Sequence, residues 1–335
     1  MAIIYHDRYL DHYQDPYHPE SPERLIAIRS KLKEEDLYTD VLKPEPATEA
    51  DLETIHTREH IDFIKNAGEG RLDMDTQSHE DTFEIALLAC GGALLAADTA
   101  FTQKKPAMAL LRPPGHHAGT DYCGGFCYFN NIALAAQHMR GKVDRVAVVD
   151  IDVHHGNGTS DIFKKRSEVL YISTHQWGIF PGTGPLTQVG EGAGEGFTIN
   201  LPFTGRSGDT TYIKAFDEIV EPVINQFRPQ ALLVSLGGDA HYMDPLATLT
   251  LSSHGYITLA DRLYELAKTH CGGGISFYLE GGYHTRALAE IVAGIMGRFA
   301  DRNLSIEFSK VYDGHLFGQD VIERVKEIQA SYWKV

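Results

Sequence analysis

Six short apolar runs punctuate this chain, and none of them alternates apolar with polar residues: AMALL (107–111), VAVVDI (146–151), VLYIST (169–174), FTINL (197–201), ALLVSL (231–236) and ISFYLE (275–280). A strand with one face in water alternates. Runs that do not are buried on both faces, which is the condition of strands in a parallel sheet. Between them lie helical patterns at 83–102, 131–139, 209–227, 255–270 and 286–300. Strand–helix alternation of this kind builds an open α/β sheet with helices on both faces and right-handed crossovers. No repeat, low-complexity tract or composition break marks a linker, so residues 1–335 are expected to form one large α/β domain.

Ligands in such folds bind beyond the carboxyl ends of the strands. Four of the runs lead straight into polar, glycine-rich text. AMALL leads into Arg112-Pro-Pro-Gly-His116-His117, and VAVV into Asp150-Ile-Asp152-Val-His154-His155-Gly-Asn157-Gly. ALLVSL leads into Gly237-Gly238-Asp239, and ISFYL into Glu280-Gly281-Gly282-Tyr283. Any one of these has a plain structural explanation, since an Asp after a strand is commonly a helix cap and a Gly-Tyr a turn. Four of them at one edge of one sheet point to a site.

Asp150, Asp152 and His154 are spaced i, i+2, i+4, which places them on one face of an extended segment, with Ile151 and Val153 turned the other way. Carboxylates and an imidazole converging at a strand end suit Zn²⁺ or Fe²⁺, and Asp239 is the best third ligand. Two carboxylates balance a dication and leave positions open for water and substrate. One of the tandem imidazoles, His116 or His117, can move a proton while the other tunes charge and holds the water. Tyr283 can donate to a developing oxyanion. Together these are the parts of a metal-assisted amide hydrolysis.

The formal net charge of −16 repels phosphate backbones, so no nucleic-acid partner is expected, whereas cationic ligands are attracted. The apolar runs are too short to span a bilayer, so no membrane partner is expected, and MAIIYHDRYL lacks the pattern of a signal peptide. Four cysteines (Cys90, Cys123, Cys127, Cys271) do not form a disulfide framework, which makes a reducing cytoplasm the expected location. Cys123 and Cys127 have metal-pair spacing, but no second pair answers them, and buried thiols are the better reading.

The motifs resemble those of the histone deacetylase family, which shares its fold with the arginases. The matching text is HPESPERL (18–25), RPPGHHA (112–118), GGFCYFNNIALAA (124–136), DIDVHHGNGT (150–159), FPGTG (180–184), GGDAHYMDPL (237–246) and LEGGY (279–283). RPPGHHA and LEGGY look like the class II branch. The resemblance implies an arginase/deacetylase-like sheet of about eight mostly parallel strands. It makes Asp152, His154 and Asp239 the zinc ligands and His117 the general base and acid. His116 becomes its electrostatic partner, paired with Asp150, and Tyr283 the transition-state tyrosine. Phe126 and Phe180 become the walls of a narrow acyl-lysine tunnel, with Gly125 and Leu246 nearby. The family also carries structural K⁺. A first site would involve Asp150, Asp152, His154, Ser173 and Thr174, and a second Phe163, Arg166, Val169 and Phe197.

Three positions bear on activity. Asn157 stands where class I members carry Asp, so it would orient His117 without raising its pKa by charge. Tyr283 is not the His of poorly active relatives. Gly238 replaces a frequent aromatic, with an effect on packing that the sequence does not define. The resemblance implies an acylated protein or peptide as substrate. An acetylpolyamine is the alternative, favoured by the acidic composition and by Asp7, Asp11, Asp15, Glu20 and Glu23 near the start, but opposed by Leu246 where polyamine-selective relatives can carry Glu. A non-catalytic acyl-lysine module is disfavoured because every catalytic position holds the competent residue type. A true arginase is disfavoured by the tandem histidines and Tyr283. Association into a homo-oligomer is left open.

Overall fold

The computed structural model describes residues 1–12, 15–312 and 317–335. Its strands are β1 (Ala2–Ile4), β2 (Val41–Leu42), β3 (Gly70–Arg71), β4 (Gln77–Ser78), β5 (Ala107–Ala109), β6 (Val146–Asp150), β7 (Val169–Gln176), β8 (Thr198–Phe203), β9 (Ala231–Leu236) and β10 (Ile275–Leu279). Eight of them form one sheet in the order β2-β1-β5-β10-β9-β6-β7-β8. Every neighbouring pair in it is parallel. β3 and β4 make a separate antiparallel pair.

Every residue of β6, β7, β9 and β10 is buried, as a parallel sheet covered on both faces requires. The helices Thr82–Gln103 and Asn131–Arg140 pack on each other and on the sheet. The helices Pro22–Glu34, Ser253–His270 and Thr285–Phe299 form a second packed set. A connected hydrophobic core runs from Ala2 to Val325.

The six runs all became strands, with ends shifted by a few residues. The strands β1 and β2 were not expected, because two or three residues carry no readable period. The pattern at 209–227 is helical throughout but not uniformly α: a π segment, Phe216–Val220, joins two α segments just before Pro222. Proline has no N–H to donate and crowds the preceding turn, which the wider π turn relieves.

The helix Thr82–Gln103 corrects one expectation. Its 22 residues include a window of mean hydropathy 1.7, long and apolar enough to cross a bilayer, yet 67% of that window is buried among other elements. Its small residues permit close packing. A Cβ at Gly91 would lie 1.8 Å from the Glu45 carbonyl oxygen.

A buried charge cluster ties the first helix to the sheet edge. Ser21 and Pro22 open that helix and place Arg24 inside the protein. Glu20 Oε1 accepts from Arg112 Nε at 2.6 Å and from Arg24 at 3.2 Å, and all three side chains are fully buried. Arg24 also donates from Nε to the Gly282 carbonyl at 2.7 Å and from a terminal nitrogen to the Glu280 carbonyl. The segment 280–283 is thereby held from beneath. Removing one partner of a buried pair strands the other charge. Glu20→Gln is therefore expected to destabilise the fold by about 3–5 kcal/mol, read as a lower urea midpoint; an unchanged midpoint would show that the two guanidinium groups need no counter-charge.

Candidate metal and catalytic site

The four strands that lead into polar text, β5, β10, β9 and β6, are consecutive neighbours in the sheet. Their carboxyl ends therefore meet, and the loops beyond them form one site.

β6 ends at Asp150, and residues 152–154 bend rather than extend. The predicted strand face does not exist there, although Ile151 and Val153 are buried as expected. The bend leaves backbone N–H groups to satisfy inside the protein, and the carboxylates satisfy them. Asp150 Oδ1 accepts from Asp152 N at 3.1 Å, Asp152 Oδ1 from His154 N at 2.8 Å, and Asp239 Oδ1 from Val153 N at 3.0 Å. Asp152 Oδ2 accepts from Gly281 N at 2.8 Å. These bonds fix Asp152 Oδ1 and Asp239 Oδ2 beside one imidazole nitrogen. His154 Nδ1 lies 3.2 Å from Asp152 Oδ1 and 3.1 Å from Asp239 Oδ2.

Among the described residues, Asp152, His154 and Asp239 are the group of His, Cys, Asp and Glu side chains placed to share an ion, their ligand atoms all within 4.8 Å of one another. Ligands about 2.0–2.2 Å from a tetrahedral centre lie about 3.4 Å apart, so the spacing fits a small dication. The charge fits too. Burial opposes protonation of His154, but its hydrogen bonds to Asp152 and Asp239 outweigh it and hold the ring at about 10. The cluster draws positive charge, which a bound dication supplies. Cys127 instead is buried with Sγ 3.3 Å from the Gly125 carbonyl, and Cys123 is half-buried.

His116 and His117 lie with ring centroids 4.0 Å apart and opposite electrostatics. His116 Nδ1 meets Asp150 Oδ2 at 3.1 Å, and its Nε2 lies 3.8 Å from Asp152 Oδ1. Burial disfavours a charge on His116, but Asp152, Asp150 and Glu280 override it and raise its pKa to about 10. His117 Nδ1 meets Asn157 Oδ1 at 2.8 Å. Burial, with His116 and His154 adding to it, pushes His117 well below the ordinary imidazole value. The surroundings thus favour the cation on His116 and the neutral ring on His117.

His116, His117 and His154 line a cavity of about 230 Å³ together with Phe126, Phe180, Ile179, Leu246 and Tyr283. Phe180 and Leu246 are exposed and mark the mouth; the histidines lie at depth. Phe180 sets its edge against His117, centroids 5.0 Å apart, and Phe126 against Tyr283 at 6.0 Å. Gly125 has φ +55°, and a Cβ there would lie 2.5 Å from the His117 ring, so only glycine fits. Phe126 has φ +69°, a costly backbone for a ring residue, held by its N–H bond to Thr76 Oγ1 at 3.0 Å.

The first cation set gathers at the end of β6: Ser173 lies opposite Asp150 in register, and the Thr174 hydroxyl donates to the Asp150 carbonyl at 3.3 Å. The second set is contiguous around the start of β7. The Phe163, Arg166 and Phe197 carbonyls accept from Arg166, Val169 and Tyr171 respectively, each retaining a second lone pair.

Sequence reasoning missed two residues of the site. Asp75 lines the cavity and accepts from Gly125 N at 3.2 Å. Asp244 accepts from Tyr283 N at 2.6 Å and His284 N at 3.1 Å, fixing the tyrosine's backbone. Asp244 sits inside a quoted motif, so a signal was present; Asp75 stands in no motif.

Comparison with known proteins places the whole chain in one family. A model of the histone deacetylase domain matches residues 18–298. The chain is 38% identical to a probable deacetylase of Archaeoglobus fulgidus, covering 99% of this chain and 98% of that protein. It is 38% identical to a histone deacetylase-like amidohydrolase of Pseudomonas aeruginosa, over 79% of this chain and 72% of that one. The crystal structure of the HDA15 HD domain superposes with a TM-score of 0.89 at 32% identity, covering 99% and 97% of the two chains.

Asn157 is neutral, and replacing it by Asp sets a negative charge beside His117 Nδ1–H. That charge favours the imidazolium and raises its pKa. The neutral ring is the form that accepts a proton, so Asn157→Asp is expected to move the acidic limb of the pH profile of kcat/KM to higher pH. A limb that stays in place would assign it to another group.

Proposed function

Because the chain belongs to the histone deacetylase family and is a deacetylase of the amidohydrolase type, we propose that it removes acetyl or other short acyl groups from N-ε-acyl-lysine in proteins or peptides. The observation that carries this reading is the cavity. Phe126, Phe180, Ile179 and Leu246 make an apolar passage suited to a lysine stem, and His117 and Tyr283 share its lining with His154.

Asp152, His154 and Asp239 would hold Zn²⁺ or Fe²⁺. When bound, such a dication lowers the pKa of water from 15.7 toward about 7 and polarises the acyl carbonyl. His117 acts at Nε2, since Nδ1 is engaged by Asn157. It takes the proton of the attacking water and delivers it to the departing lysine amine, a step of order 10²–10⁴-fold. His116, held cationic by Asp150, Asp152 and Glu280, offsets negative charge in the transition state. Tyr283 donates its hydroxyl hydrogen to the acyl oxygen; burial raises its pKa well above the ordinary value and keeps that hydrogen in place. K⁺ at the two expected sets would stiffen the end of β6 and the start of β7. Four unbridged cysteines, three of them buried, fit a cytoplasmic location.

An acetylpolyamine is the competing substrate. Among the described cavity-lining residues Asp75 is the one carboxylate, and Leu246 offers no charge to a distant amine. Zinc-loaded enzyme is expected to show a higher kcat/KM on an acetyl-lysine peptide than on N-acetylputrescine or N⁸-acetylspermidine. The reverse order would make the small molecule the substrate class. Tyr283→Phe is expected to lower kcat by roughly 10²-fold or more with little change in KM, and turnover close to wild type would remove Tyr283 from the transition state. Chelation is expected to abolish turnover and Zn²⁺ to restore it; turnover that survives complete demetallation would overturn the metal-assisted reading.

A further inference from the structure

Between RPPGHHA and GGFCYFNN lies a stretch, Gly119-Thr-Asp-Tyr122-Cys, that belongs to no motif. Its tyrosine reaches the site from behind. The Tyr122 hydroxyl donates to Asp161 Oδ2 at 2.7 Å and accepts from Asn157 Nδ2 at 3.1 Å. Asn157 Oδ1 in turn meets His117 Nδ1 at 2.8 Å. Asp161 lies one helical turn after Asn157 on the helix Asn157–Phe163, and Lys164 Nζ stands 3.4 Å from its other oxygen. The tyrosine is itself fixed: its ring lies against Gly119, whose N–H donates to the Tyr122 carbonyl at 3.0 Å.

We propose that Tyr122 and Asp161 are a positioning pair that sets the side-chain amide of Asn157 one way round, and through it the tautomer of His117. The logic is one of donors and acceptors. A carboxylate only accepts, and a phenol has one hydrogen, so Tyr122 spends that hydrogen on Asp161. The phenol oxygen can then only accept from Asn157, which must turn its NH₂ toward Tyr122 and its carbonyl oxygen toward His117. An oxygen facing Nδ1 requires Nδ1–H, and in a neutral imidazole that leaves Nε2 with the lone pair. Without the pair, the amide can reverse, present N–H to Nδ1, and favour the tautomer that cannot act as base at Nε2. An Asp at position 157 needs no such device, because both of its oxygens accept.

The proposal rests on His117 acting as the base through Nε2, and the test separates the two. Metal-loaded wild type, Tyr122→Phe, Asp161→Ala and Asp161→Asn are compared by kcat and KM on an acetyl-lysine substrate, with metal content and unfolding midpoints confirming intact protein. The first two variants are expected to lose roughly tenfold in kcat, with KM nearly unchanged, because a fraction of the enzyme holds the wrong tautomer. Asp161→Asn, which keeps an acceptor oxygen, is expected to retain most of the activity. Tyr122→Phe is then repeated in the Asn157→Asp background, where it is expected to cost less than about twofold. An equal loss in both backgrounds, or no loss in the wild type, overturns the positioning role. His117→Ala is the control: its inactivity with unaltered Tyr122→Phe turnover defeats the positioning pair alone, whereas activity in His117→Ala defeats the base assignment and the proposal with it.

Discussion

Four carboxylates buried at the carboxyl ends of neighbouring strands set the terms for everything around them. Asp150, Asp152, Asp239 and Glu280 are all at most 1% exposed. Buried charge of one sign is costly unless it is hydrogen-bonded and balanced. Backbone N–H groups of the loops supply the bonds: 281 to Asp152, 153 to Asp239, and 115 and 116 to Glu280. The cation on His116 and positive charge among Asp152, His154 and Asp239 supply the balance. Burial still leaves Glu280 raised to about 7, so the balance is not generous. The loop shapes and the affinity for a metal are two consequences of the same demand. Asp150 and Asp239 each take a loop N–H with one oxygen and meet an imidazole with the other, whereas both oxygens of Asp152 take loop N–H groups and Glu280 Oε1 accepts from the Ser235 hydroxyl.

The sheet was legible because its signal is local. Six non-alternating runs are six of the eight strands of the parallel sheet, and the two that were missed are too short to carry a pattern. The site was legible for a related reason. Strand direction in a parallel sheet is shared, so the residues after each run must lie on one edge. That reasoning brought His116, His117, Asp150, Asp152, His154, Asp239 and Tyr283 together without any knowledge of strand order. It went astray in detail after Asp150, where an extended face was expected and the chain bends. Spacing of i, i+2, i+4 pointed to residues that do converge, but through a bend and not along an extended face. Their convergence comes from side-chain to backbone hydrogen bonds, which no periodicity reports.

What was not legible acts across long sequence separations. Arg24 supports the carbonyls of residues 280 and 282 from the first helix, more than 250 positions away, and its ring-stacking on Tyr283 places a guanidinium 5.2 Å from the aromatic centroid. Arg24 sits inside the quoted HPESPERL motif, but a fully buried arginine has the same helical spacing as a surface one, so the motif alone does not reveal its contacts. Asp75 and Thr76 hold the strained turn at Gly125 and Phe126 from a segment with no motif of its own. These residues shape the passage without touching the point of chemistry, and only packing reveals them.

The tandem histidines show how finely the surroundings divide the labour. Two rings 4.0 Å apart cannot both carry charge cheaply. Three carboxylates face His116 and assign the proton to it. Once His116 is charged, its field presses His117 toward neutrality, and the hydrogen bond to a neutral Asn157 is too small a counterweight to reverse that. Environments that drive adjacent titratable groups apart are what separates an electrostatic partner from a base. The sequence places the pair, but the assignment of roles lies in the third residue each ring meets: a carboxylate at 150 for one, an amide at 157 for the other.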